Sequence, residues 1–192
     1  MAHRRFSQAI SEGDGISLIV EVGDVDAARA AAAQGAEGVI VRQPIDGLRE
    51  AVELPILWRG GGRPAEASAA GADAWIVRVT DDDDGDLVAE EHSEAAELGL
   101  DCAVEVHNEE ELELALERLD PEILLLSADD GADALQRALD LLPDVPAGKL
   151  AVADVPVTGR DQVDELERAG VDAVIVGARS VAELVGDAAP EV

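Results

Sequence analysis

Eight short runs of β-branched and aliphatic residues alternate along this chain with segments rich in alanine, leucine and glutamate, and that alternation leaves few folds open. The runs cover 16–22, 38–42, 55–59, 73–79, 101–107, 122–128, 150–155 and 172–178. The segments between and after them have helical period, over 24–34, 45–53, 63–70, 86–98, 108–119, 130–142, 159–169 and 180–187. Runs this apolar suit strands buried on both faces, as in parallel sheets. Gly35, Gly71, Gly99 and Gly170 stand where helices should stop before the next strand. Asn108 precedes a helix whose first turn is acidic, Glu109–Glu111, which satisfies free N–H groups and the helix dipole. An open doubly wound sheet would need fewer units and a switch point. Eight strand–helix pairs in 192 residues predict a (βα)₈ TIM barrel of near-minimal length.

The reading is a single domain over 1–192, with a short N-terminal segment (1–15) and eight βα units over 16–185. The strand entries GAEGVIV, GADAWIV and GVDAVIV repeat with the βα unit. No stretch approaches the ~18 apolar residues of a membrane span, and the basic start is followed by no apolar signal core. One cysteine, Cys102, fits a reducing, cytoplasmic setting.

Charge narrows the partners. Asp and Glu number 43 against 14 basic residues, a formal net charge of −29. Lys149 is the one lysine; the other basic residues are arginine. Self-repulsion of this size destabilises a compact state unless salt screens it. An acidic, lysine-poor surface is therefore expected of an extreme halophile's protein, working where the Debye length is about 3 Å. The same charge excludes nucleic-acid binding, which needs a basic footprint. The oligomeric state is not legible.

The stretch LDCAVEVHNEEELELALERLDPEILLL resembles the fifth and sixth strands of indole-3-glycerol-phosphate synthases, where a strand carrying E-V-H leads into an E-E-L helix. DQVDELERAGVDAVIVGARSV is similar to that family's seventh helix and eighth strand, with its V-G phosphate turn. AARAAAAQGAEGVIV and LREAVELPILWR match its upstream frame. The resemblance runs from about Ile16 to Val185 and implies a lyase of tryptophan biosynthesis, in which lysines and glutamates drive decarboxylating ring closure of a phosphorylated substrate. It implies no cofactor.

Carried over position by position, the resemblance puts Glu21 at the first-strand glutamate and Glu105 at the fifth-strand glutamate. Arg59 stands at the third-strand lysine and Gly23 at the first-strand lysine. Leu126-Ser127-Ala128 replaces N-N-R, and Asp154 lies in the segment that replaces S-E-S-G-I. Glu21, Arg59, Glu105 and Asp154 are the candidate catalytic residues. Gly177, Ala178 and Arg179 are the candidate phosphate site, as N–H groups and a positive charge at a helix N-terminus. Pro156 has no N–H to donate to it, and Thr158-Gly159 stands next to it as a substitute. Met1–Gly15 is too short for the helix that precedes the family's barrel, so no N-terminal extension helix is expected.

Several residues keep two readings. Arg59 holds a substrate anion or simply pairs with an acid. Strand-end carboxylates form a polar site or are merely hydrated. His107 is a proton shuttle or a satisfied structural histidine. Arg59–Arg63, with three glycines inside, wraps an anion or makes a tight turn. The acidic loop Asp81–Asp86 lacks an EF-hand's first ligand and leading helix, and no histidine or cysteine has metal-ligand spacing. Three functions stay open: a divergent relative that keeps at most phosphosugar or anion binding, an active synthase, and an isomerase-type sugar-phosphate barrel. Lysine decides between the first two, because a tuned lysine can give up a proton and arginine effectively cannot.

Overall fold

In a computed structural model of the chain, which describes residues 5–13, 15–79, 85–128, 131, 133–177 and 184, the eight runs form eight parallel strands. They are β1 (Ser17–Glu21), β2 (Gly38–Val41), β3 (Ile56–Trp58), β4 (Ala74–Arg78), β5 (Asp101–Val106), β6 (Ile123–Ser127), β7 (Leu150–Asp154) and β8 (Ala173–Gly177). They pair in chain order, and β8 returns to β1 through the register Ser17↔Ala173 to Glu21↔Gly177, so the barrel closes. Helices α2 (Val25–Ala33), α3 (Leu48–Ala51), α4 (Pro64–Ala69), α5 (Gly85–Glu97), α6 (Glu109–Arg118), α7 (Ala134–Leu141) and α8 (Arg160–Ala169) connect successive strands, and the 3₁₀ turn Leu142–Asp144 follows α7. The chain is a (βα)₈ TIM barrel.

Local chemistry explains the punctuation. Asp24 caps α2 by accepting the Ala27 N–H at 2.8 Å. Asn108 caps α6 through the Glu111 N–H at 2.9 Å, and its own amide donates back to the Glu111 carboxylate at 3.2 Å. Gly170 adopts φ +99° at the end of α8, a conformation only glycine takes without strain. The repeated acidic strand entries also have a cause. Asp73 accepts the Ile56 N–H at 2.9 Å, and Asp172 accepts the Ala151 N–H at 2.7 Å. Each carboxylate thus closes the free end of the neighbouring parallel strand.

The strands bury both faces. One apolar cluster lies between barrel and helices and includes Val20, Val41, Trp58, Val104 and Leu126. The other fills the barrel interior with Ile19, Ile40, Leu57, Ala103, Leu125, Val152 and Ile175. Phe6 and Ile10 belong to the interior cluster and correct one expectation: a two-turn helix, α1 (Arg5–Ser11), does precede the barrel. Both residues are essentially inaccessible to solvent. They lie four apart on one helical face, and buried Asp101 accepts the Ser7 N–H at 2.7 Å. A segment this short is marginal as an isolated helix and is held by what it covers.

Candidate active site

Side-chain alternation decides what reaches the barrel mouth. Two residues beyond the interior positions Ile19, Ile40, Leu57, Ile76, Ala103, Leu125, Val152 and Ile175 stand Glu21, Arg42, Arg59, Arg78, Glu105, Ser127, Asp154 and Gly177. A period of two puts all eight on the inner face, as the last layer at the strands' C-terminal ends. The mouth therefore carries one residue from each strand. Three consecutive strands, β2 to β4, contribute arginine; β1, β5 and β7 contribute acids.

The charges pair across the opening. Arg42 makes a two-pronged contact with Glu21, its Nε at 2.7 Å from Oε1 and its Nη2 at 3.1 Å from Oε2. Arg59 Nη2 donates to Asp154 and lies 3.8 Å from Glu105 Oε1. Arg78 Nη2 is 3.2 Å from Glu105 Oε2, and Ser127 Oγ donates to Glu105 Oε1 at 2.9 Å. The inner pairs are well buried: the Arg59 and Glu105 side chains are 13% and 15% exposed, whereas Arg42 is 60% exposed. The hydrogen bond from Arg42 holds Glu21 below its ordinary range against the effect of burial, and the charges of Arg42 and Arg59 add to it. Glu21 is thus a settled carboxylate at neutral pH.

His107 is satisfied on both nitrogens. Arg78 Nη2, which can only donate, lies 3.2 Å from its Nε2, so Nε2 accepts and Nδ1 carries the proton toward Glu111 Oε2 at 2.9 Å. Glu111 also accepts the His107 backbone N–H at 2.9 Å. This favours the structural role for His107.

Glu21, Arg59, Glu105 and Asp154 all lie at the barrel mouth, with Arg59 in contact with both Asp154 and Glu105. Glu21, Arg59 and Asp154 line a cavity of about 350 Å³ with Arg42, Pro156, Val157 and Gly177. Gly177 ends β8 at its edge; Ala178, Arg179 and most of the acidic loop lie outside the described residues. Thr158 does not substitute for Pro156, because its N–H and hydroxyl are both committed to Gln162 Oε1, at 2.8 and 3.0 Å. The Arg59–Arg63 loop is a packed turn. Trp58 Nε1 donates to the Gly61 carbonyl at 3.0 Å, and a Cβ on Gly60 would collide with the Trp58 ring. Arg63 turns away to Glu94. Among the described residues no cluster suits a metal ion, and no helix is long and apolar enough to cross a membrane.

Arg42, Arg78 and Ser127 are mouth residues that the sequence did not single out as site residues. Their signal was present: I-V-R at 40–42, L-W-R at 57–59 and I-V-R at 76–78 end three successive strands alike. Lys149 lies at the other end of the barrel, where its Nζ is 2.5 Å from Asp120 Oδ1. It holds in place Asp120, the one non-glycine residue with positive φ (+45°) among those described. A larger cavity of about 600 Å³ opens there, lined by Lys149, His92, Asp101 and Cys102.

The fold and this ring of strand-end residues define a (βα)₈ barrel with its polar site at the strand C-termini. Within that class, the chain belongs to the indole-3-glycerol phosphate synthase family, whose model matches residues 64–184. It is 37% identical over 154 residues to the indole-3-glycerol phosphate synthase of Nocardioides sp., covering 75% of this chain and 56% of that protein. Identity to the Geobacillus sp. synthase is 31% over 137 residues, 68% of this chain and 53% of that protein. The chain spans about half the length of these curated relatives. Among solved structures, a mutant tryptophan synthase α-subunit from the hyperthermophile Pyrococcus furiosus superposes with TM-score 0.69 at 17% identity, covering 90% of this chain and 98% of that one. Thiamine phosphate pyrophosphorylase from the same organism gives 0.63 at 18% identity, covering 88% and 90%. Likenesses at such identity speak for the fold alone.

Proposed function

We propose that this chain is a divergent member of its family that has weak or no synthase activity and keeps at most phosphosugar or anion binding at the strand C-terminal ends. In this reading Glu21, Arg59, Glu105 and Asp154 form the polar end of the site, and Gly177, Ala178 and Arg179 form the phosphate end. The ion-paired mouth is the observation that carries it. Each of its three carboxylates is held by an arginine, and the one lysine of the chain stands at the opposite end. A general acid must release a proton near working pH, and arginine effectively does not. Proton abstraction by Glu105 or Asp154, as an isomerase would need, requires either to leave a half-buried arginine contact.

An active synthase is the second reading, and the position of Arg59 favours it: the guanidinium lies between Asp154 and Glu105, and the resemblance matches Arg59 to the family's third-strand lysine. Turnover of the carboxyphenylamino-deoxyribulose phosphate substrate in molar salt separates the two. We expect at most a trace of indole-glycerol phosphate. Efficient multiple-turnover formation of that product, abolished in Glu105→Gln, would overturn the preferred reading. Thermal stabilisation by sugar phosphates, lost in Arg179→Ala, tests the binding part. The single domain over 1–192, a cytoplasmic setting and adaptation to high salt belong to the same proposal, the last supported by the net charge of −29.

A further inference from the structure

The arginine row on β2, β3 and β4 exceeds what the proposed function uses, which is Arg59 alone. Three arginines side by side, about 5 Å apart from strand to strand, repel one another unless anions lie between them. In the resting structure those anions are the chain's own carboxylates. The three contacts are not equivalent. Arg59 with Asp154 is largely buried, and breaking a buried pair is costly. Arg42 and Glu21 are 60% and 39% exposed, so opening that contact costs little, whereas Arg78 holds Glu105, which is 15% exposed. Arg59 Nε is buried and has no hydrogen-bond partner among the described residues, although buried donors are nearly always paired.

Resting on the reading of the mouth as an anion site, we propose that Arg42 forms a second anion subsite, separated from the end of β8 by Glu21 on β1, and that Glu21 is its resting occupant, displaced by the carboxylate or phosphoryl oxygens of a ligand. A guanidinium presents two parallel N–H groups, the geometry in which Arg42 already grips Glu21, and a ligand carboxylate takes the same two bonds. Arg42, Glu21 and Gly177 line one cavity, so a single ligand spans both subsites with an anionic group at each end. Glu21 then acts as a built-in competitor: it keeps the mouth neutral when empty and sets the threshold an anion must exceed.

This arrangement has a signature that a simple arginine pocket lacks. Removing the competitor tightens binding. Benzoate and inorganic phosphate are titrated into the full chain by calorimetry at fixed molar potassium chloride, with Glu21→Gln and Arg42→Gln beside the parent. We expect benzoate to bind Glu21→Gln at least about threefold more tightly than the parent, and Arg42→Gln at least about tenfold more weakly. Unchanged or weaker benzoate binding in Glu21→Gln overturns the proposal, as does unchanged binding in Arg42→Gln. If Arg42→Gln does not fold, as read by circular dichroism, Glu21→Gln alone decides. Phosphate monoesters report the turn separately. Their loss in Arg179→Ala, with benzoate binding intact, leaves the second subsite standing; failure of all anions to bind the parent removes both it and the anion-site reading.

Discussion

Among the single residues, Arg59 carries the largest local stake. It holds Asp154 directly and lies near Glu105, whose side chains are 26% and 15% exposed. Arg59→Met leaves Asp154 unpaired and should cost roughly 3 kcal/mol, whereas Arg42→Ala, which opens an exposed pair, should cost under about 1 kcal/mol. Urea denaturation in molar potassium chloride compares them, and equal losses would contradict the burial argument. Glu21 carries a pH prediction. Its folded-state value is depressed below the ordinary 4.5, so its stabilising contribution is complete above 4.5 and is lost as pH falls through the lower value. Glu21→Gln should flatten that part of the acid limb of stability, and parallel limbs for the two proteins would refute it. At the barrel's other end, burial and the charge of Asp101 push the Cys102 thiol up to about 12. It is therefore protonated at neutral pH. Iodoacetamide should label it about a hundredfold more slowly in the native protein than in urea, with mass spectrometry as the readout.

The elements divide by what makes them form. The eight strands and the helices α2 to α8 carry their own patterns, caps and stop glycines, so their ranges follow the chain reading closely. Mouth acids were legible for the same reason: period-two alternation sends Glu21, Glu105 and Asp154 to the inner face beyond Ile19, Ala103 and Val152. Arg42 and Arg78 lie on the same phase, yet what they do depends on which strands become neighbours. Arg78 meets Glu105 because β4 pairs with β5 in the register Arg78↔Glu105. Helix α1 is the opposite case. It has no apolar stripe beyond Phe6 and Ile10 and gains its stability from the barrel interior that both enter. Phe6→Ala should destabilise by about 3–5 kcal/mol, as removal of a fully buried aromatic does. A loss below about 1 kcal/mol in chemical denaturation would mean that α1 rests on the barrel without closing it.

For the whole molecule, charge dominates. A net charge of −29 on 192 residues is self-repelling at low ionic strength. Raising potassium chloride from about 0.1 to 1 M shortens the Debye length from about 10 to 3 Å. The midpoint of thermal unfolding should rise across that range; a flat or falling midpoint would contradict salt adaptation. The mouth stands apart from this surface. There three arginines meet three acids, so the local balance is neutral within a strongly acidic protein. By itself, the sequence determined the barrel, its strand phase, its acidic composition and the absence of a mouth lysine, because alternation, composition and local caps act over a few residues. Only the tertiary structure decided how the mouth charges pair, that His107 is satisfied by Glu111 and Arg78, and that the first residues form a helix against the barrel interior. Those contacts join residues far apart in the chain, and they exist only once β8 closes on β1.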